Sequence, residues 1–339
     1  MTDRHRKRKE APSTEMTQSE QGKAAANVTR RFDLRRVGPR QNVLQIVPPR
    51  NAWRHSVAEE VLEDVGHELF VHPLESPTGP HGAKNFRNVA GSQIAVPHVT
   101  NVYLGEFWAG VEQRAFFEEF SKAIVENGYL DPLAELGYGS RSGVYLGAVQ
   151  TDKPRDNTFA DANARQTLRD LIDQGVLHAD ENSVFFLILP SGVRSVFPDG
   201  SASCSRFCGY HDAFTYQGVN FAYAVMPSSD CQACGNGKIG AFTATYAHEL
   251  AEAITDKVPG MGWVSQDGKE NGDLEAWILL PWGPPNDPKR FVVQSYYTNE
   301  RGPTIGAWRE TIGSGGAVVA EAAFREARPG RRATRLPRR

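Results

Sequence analysis

The sequence predicts an α+β fold, a mixed β-sheet with packed helices, one of which carries a cluster of histidine and acidic residues. Three observations predict it. Short runs rich in β-branched and aromatic residues recur through the middle of the chain, and amphipathic helical patterns alternate with them. The motif-bearing helix follows the last long strand of that series. With 339 residues, 40% of them hydrophobic and 23% charged, the chain can bury a sizeable core in one large domain or two small ones.

Residues 1–40 read as a disordered basic lead-in. Residues 41–92 form a poorly defined segment that holds a short helical pattern, SVAEEVLEDVG, and a Pro/Gly-rich linker, LESPTGPHGAKN. The folded domain is expected over 93–315, with a second disordered basic tail over 316–339. Within the domain, QIAVPHVTNVYLG (93–105) is a strand candidate broken by Pro97. VEQRAFFEEFSKAIVEN (111–127) sets Phe116, Phe117, Phe120, Ala123 and Ile124 at helical spacing and stops near Gly128. GVYLGAV (143–149) is the next strand, and NTFADANARQTLRDLIDQG (157–175) a second amphipathic helix. SVFFLILP (183–190) is apolar throughout, as a central strand covered on both faces would be. FAYAVMP (221–227) is a strand ended by Pro227, a helix runs from about 240 to 255, and RFVVQSYY (290–297) is a later strand. No internal repeat is visible.

Charge divides the chain. Residues 1–40 carry eleven Lys/Arg against five Asp/Glu, and residues 320–339 seven against two. A chain total of −2 therefore leaves about −13 on residues 41–319. An acidic middle argues against a nucleic-acid-binding domain, and neither basic tail has the interleaved aromatics of a nucleic-acid surface. No apolar run approaches the roughly 20 residues that span a bilayer, so no transmembrane segment is expected. The charged N-terminus is not followed by an apolar stretch of signal-peptide type, which leaves a cytoplasmic location open.

The four cysteines cluster as Cys204 and Cys208 in SCSRFCGYH and Cys231 and Cys234 in DCQAC. They suit either a four-cysteine zinc site or disulfides in a loop-rich stretch. The C-x-x-x-C spacing of the first pair is looser than a zinc knuckle, which favours disulfides and an oxidising, secreted or cell-surface setting.

In TYAHELAEAITD (245–256), Phe242, Tyr246, Leu250 and Ala253/Ile254 make one core-facing stripe of the helix. His248 and Glu252, four residues apart, lie one turn apart on another side and can reach a single metal ion. Ala244, Ala251 and Thr255 flank them and leave room above the helix. Glu249 sits about 100° further round, beside the metal, where a general base would hold a water. This is H-E-x-x-H with its second histidine replaced by glutamate. Zinc accepts carboxylate oxygen, and the added negative charge makes Mn²⁺ or Ca²⁺ more competitive. A third ligand is required. Asp256 lies about 12 Å along the helix from His248, too far to share an ion. Asp273 is the preferred candidate and Glu270 the alternative, both in GWVSQDGKENGDLEAW. His211, in CGYHD, either assists catalysis at the cleft edge or is structural. Trp263, Trp277 and Trp282 either line a cleft or belong to the core. These residues lead to a zincin-like, zinc-dependent hydrolase acting on a peptide or protein through a metal-activated water.

Taken in order, CGYH, CQAC, AHELAEAITD, GW, ENGDLEAW and VVQSYYTN resemble the plant phosphate-induced (EXORDIUM-like) proteins and their bacterial relatives. The resemblance spans roughly residues 95–300. It implies roles for His248, Glu249, Glu252, Glu270 and Asp273, structural cysteines, and a secreted or wall-associated setting. Departures occur at Asn271, where the family pattern has isoleucine, at Glu275, where it has cysteine, and at Lys257, where the bacterial relatives tend to have proline. The rival function is a non-catalytic secreted or cell-surface protein with a structural ion.

Overall fold

The structure is a computed structural model that describes residues 86–309, apart from 231, 236, 276, 277 and 285–289. The lead-in over 1–40, nearly all of the segment over 41–92, the tail over 316–339 and Trp277 lie outside the described residues.

A five-stranded sheet organises the domain. Its strands are β2 (His98–Leu104), β3 (Val144–Thr151), β5 (Ser183–Ile188), β7 (Tyr210–Tyr216) and β8 (Val219–Met226), in the spatial order β3-β2-β5-β8-β7. The first four are parallel, and β7 closes one edge antiparallel to β8. The fold is thus α+β with a mixed sheet. β5 lies at the centre, with all six residues buried, as its unbroken apolar run requires.

Helices cover both faces. α1 (Val111–Glu126) and α4 (Ile239–Thr255) pack on one face against Val99, Tyr103, Val184, Phe186, Ile188, Ala222, Ala224 and Met226. α3 (Asp161–Asp173) packs on the other against Val102, Leu104, Phe185, Leu187, Tyr223 and Val225. The strict alternation between the two sets is the two-residue period of extended chain. The domain also contains a short helix, α2 (Asp131–Glu135), and a small parallel pair, β4 (Thr158–Ala160) with β6 (Arg194–Val196). β4 takes up the start of the stretch expected to be helical from 157: Phe159 is buried in the α3-side core, so the helix begins only at Asp161.

Beyond α4, β10 (Leu279–Trp282) and β11 (Phe291–Gln294) form an antiparallel pair, as do β12 (Tyr296–Thr298) and β13 (Gly302–Thr304). The single strand expected over 290–297 is therefore two, divided at Ser295. β1 (Arg87–Asn88) pairs with β9 (Trp263–Val264), so the folded body reaches back before residue 93. α4 is enclosed by the sheet on one side and β11 on another. Every residue from Gly240 to Thr255 is buried. A helix so enclosed is expected to be small or apolar wherever it is not bonded, and AFTATYAHELAEAIT is so except at His248, Glu249 and Glu252. No helix among the described residues is long and apolar enough to cross a membrane.

Trp263 and Trp282 belong to the core. The Trp263 ring lies tilted 4.4 Å from that of Tyr138 and donates to the carbonyl of Tyr138, and Trp282 packs on Tyr129 and donates to the carbonyl of Gly306.

Candidate metal centre

Three segments bring the site together. α4 supplies His248, Glu249 and Glu252; β7 supplies His211; the turn after β9 supplies Glu270 and Asp273. Alternation along β7 decides where His211 points. Tyr210 and Phe214 join the α3-side core, so His211, registered against Ala224, faces α4.

Two groups of potential ligand atoms result, each gathered within 4.8 Å: His248, Glu252 and Asp273 in one, His211, Glu249 and Glu252 in the other. His248 Nε2 lies 3.1 Å from Glu252 Oε1, close enough for an ion pair but not aligned as a hydrogen bond. His211 Nδ1 is 3.5 Å from Glu252 Oε2 and 3.7 Å from Glu249 Oε2. Its Nε2 is 3.5 Å from Glu270 Oε1. Both ring nitrogens of His211, Nε2 of His248 and all six carboxylate oxygens of Glu249, Glu252 and Glu270 are buried without a hydrogen-bond partner. Buried polar atoms are rarely left so, and a group of them facing one another is the arrangement a cation would complete. The donor set, imidazole nitrogen with carboxylate oxygen, suits zinc, manganese or iron(II). The residues fit a metal.

The surroundings hold these side chains in place. The Gln294 side-chain amide sits 2.7 Å from His248 Nδ1 and donates to the Gly272 carbonyl at 3.0 Å. Both contacts are made by Gln294 Nε2. Asn271 is clamped as well: its carbonyl accepts from the Tyr297 N–H, and its Oδ1 accepts from the Thr255 hydroxyl. Two glycines stand against the acids. A Cβ on Gly209 would fall 2.8 Å from Glu249 Oε1, and one on Gly272 would fall 2.8 Å from Glu252 Oε1. The glycine of CGYH and that of ENGD are there for close approach.

Proton affinities follow from the burial. Burial alone would raise Glu252, but His248 and His211 beside it hold it well below the usual carboxylate range. Burial pushes Glu249 up to about 7, against the pull of His211 and His248. Burial also lifts Glu270, with Asp256 and Glu252 adding to the shift, and takes Asp273 to about 6 with help from Glu252. Burial would lower His248, yet Glu252 and Glu249 bring it to about 9.

The site residues expected from the sequence all lie in this cluster. Asp273 joins His248 and Glu252, whereas Glu270 stands at His211. Asp256 is excluded, and its carboxylate instead accepts from the N–H groups of Gly260, Met261 and Gly262. The room expected above the helix is filled by β7 and the 270–273 turn: His211, Glu249, Glu252 and Glu270 are 0% exposed. The four-cysteine zinc site is excluded because Cys208 is disulfide-bonded to Cys234, joining the start of β7 to the loop before α4. Cys204 is disulfide-bonded too, and Cys231 lies outside the described residues. Gln294 was missed. Its one signal was a polar residue ending the apolar strand FVVQ.

Compared with models of protein families and with curated proteins, the chain matches none.

Proposed function

We propose that this protein is a metal-dependent hydrolase on a zincin-like scaffold, in which His248, Glu252 and Asp273 hold a zinc ion and Glu249 is the general base. The observation that carries the reading is the convergence of His248 Nε2 with the Glu252 and Asp273 carboxylates at one buried point. When bound, zinc supplies Lewis acidity toward a carbonyl and makes water a nucleophile at neutral pH. The chain's own residues supply the rest. Glu249, with a carboxyl near neutrality, takes and returns a proton. His211, within 3.7 Å of Glu249, stabilises that carboxylate when it is ionised. Gln294 fixes the plane of the His248 ring. The reaction class is acyl transfer to water, with a peptide as the substrate.

One observation favours a second reading, a non-catalytic EXORDIUM-like protein with a structural ion. The donor side chains are 0% exposed, or 8% at Asp273, which closes the site to a peptide in this conformation. The disulfide supports a secreted or cell-surface setting for either reading.

Metal content of the purified chain tests the shared premise. Zinc in the wild type that is lost in Glu252→Ala and Asp273→Ala supports the site. Hydrolysis of a peptide library by the wild type, falling roughly 100-fold or more in Glu249→Gln with zinc retained, supports the enzyme. Zinc retained without hydrolysis supports the structural ion, and a folded wild type without metal sinks both.

A further inference from the structure

The two ligand groups share one residue, Glu252, and its two oxygens face different imidazoles: Oε1 faces His248 Nε2 and Oε2 faces His211 Nδ1. We infer that the site is dinuclear, with Glu252 bridging one divalent ion held by His248 and Asp273 and a second held by His211 and Glu249. The inference rests on the first ion of the reading above and replaces the general-base role given there to Glu249, and the stabilising role given to His211, with ligation of the second ion.

Three features point to the second ion. First, His211 Nδ1 and both oxygens of Glu249 are fully buried, face one another and make no hydrogen bond, so the second group is as incomplete as the first. Secondly, the charge of the site matches two ions. Glu249, Glu252, Glu270 and Asp273 bring four carboxylates into one buried cluster. One divalent cation would leave a formal charge of about −2 in the interior, and two leave none, which is the condition under which buried charge is tolerable. Neighbouring groups do not change the balance. Lys269, 3.7 Å from Asp273, has its ammonium mostly in solvent, and the Asp256 carboxylate is satisfied by three backbone N–H groups. Thirdly, each imidazole has a polar side chain beside its other nitrogen. Glu270 faces His211 Nε2, and Gln294 faces His248 Nδ1. Metal-bound histidines use such partners to set tautomer and ring orientation.

This assignment gives Glu270 a task that a single-ion site leaves it without. It positions His211 and is not a third ligand beside Asp273. The ligands are then two histidines and three carboxylates, one carboxylate fewer than in the di-iron and di-manganese centres built inside four-helix bundles, and they come from a helix, an edge strand and a turn. The oxygen-rich set selects manganese or iron(II) at the second position more strongly than zinc.

The test is manganese stoichiometry of the full chain after removal of metal and reconstitution with Mn²⁺ alone, read by mass spectrometry and by electron paramagnetic resonance. The inference expects about two equivalents in the wild type and a spin-coupled multiline signal. It also expects His211→Asn and His248→Asn each to halve the bound manganese and restore the single-ion spectrum, and Glu252→Ala to abolish binding. One equivalent in the wild type, unchanged by His211→Asn and lost in His248→Asn, overturns the second ion and leaves the single-ion reading intact. No manganese or zinc bound to folded wild type overturns both. Should a variant fail to fold, the wild-type stoichiometry and spectrum decide alone.

Discussion

Glycine at 272 shows how a single residue sets the site. Its missing Cβ leaves the space into which the Glu252 carboxylate fits, with the Glu252 side chain 2.8–3.2 Å from where that carbon would stand. Gly272→Ala meets no left-handed backbone constraint, so the chain accommodates it by moving the acid. The expected result is a folded protein whose metal affinity falls about 10- to 100-fold, as for disturbed supports of metal ligands. Isothermal titration of zinc into the metal-free variant, with circular dichroism as the folding control, checks this. Unchanged affinity would mean that Glu252 is not a ligand.

At the scale of elements, β7 is the piece the sequence least advertised. YHDAFTY, to which the sequence reading assigned no strand, is an edge strand, and the burial of Tyr210 and Phe214 in the α3-side core is what turns His211 toward α4. The Cys208–Cys234 disulfide ties the chain two residues before β7 to the loop entering α4 across a separation of 26 residues. Closing a loop of that size is worth roughly 3 kcal/mol in the chain-entropy account. The double variant Cys208→Ser/Cys234→Ser should lose about that much in guanidinium unfolding. It should also bind metal more weakly, because His211 loses its fixed anchor. Loss of stability with unchanged binding would confine the bridge to a structural task.

Across the whole molecule, ionisation away from the metal site sets part of the acid sensitivity. Asp180 is partly buried, which by itself would raise its carboxyl. His98 Nδ1 at 2.7 Å, the Asn182 N–H and His178 outweigh this and hold it below the ordinary aspartate value. A group depressed in the folded state contributes stability above its unfolded value of 3.8 and loses it as pH falls through the folded value. Thermal unfolding followed downward from pH 5 should therefore show a steeper decline in wild type than in Asp180→Asn. Parallel curves would show that the His98–Asp180 pair adds nothing.

The elements that carry a strong local pattern were legible in the chain. SVFFLILP, VEQRAFFEEFSKAIVEN and the H-E-x-x-E helix appear where their periodicity places them, because apolar spacing along a helix or strand reports directly on which face is buried. The ligand types on α4 were legible for the same reason, since residues four apart share a helical face. What only the tertiary structure decided were the partners that arrive from elsewhere in the chain. His211, Glu270, Asp273 and Gln294 come from an edge strand, a turn and the end of β11, each oriented by what packs behind it. The burial of α4 on every side is likewise set by the sheet and by β11 rather than by the helix itself. Distance between sequence-remote groups is a property of packing, and no local pattern encodes it.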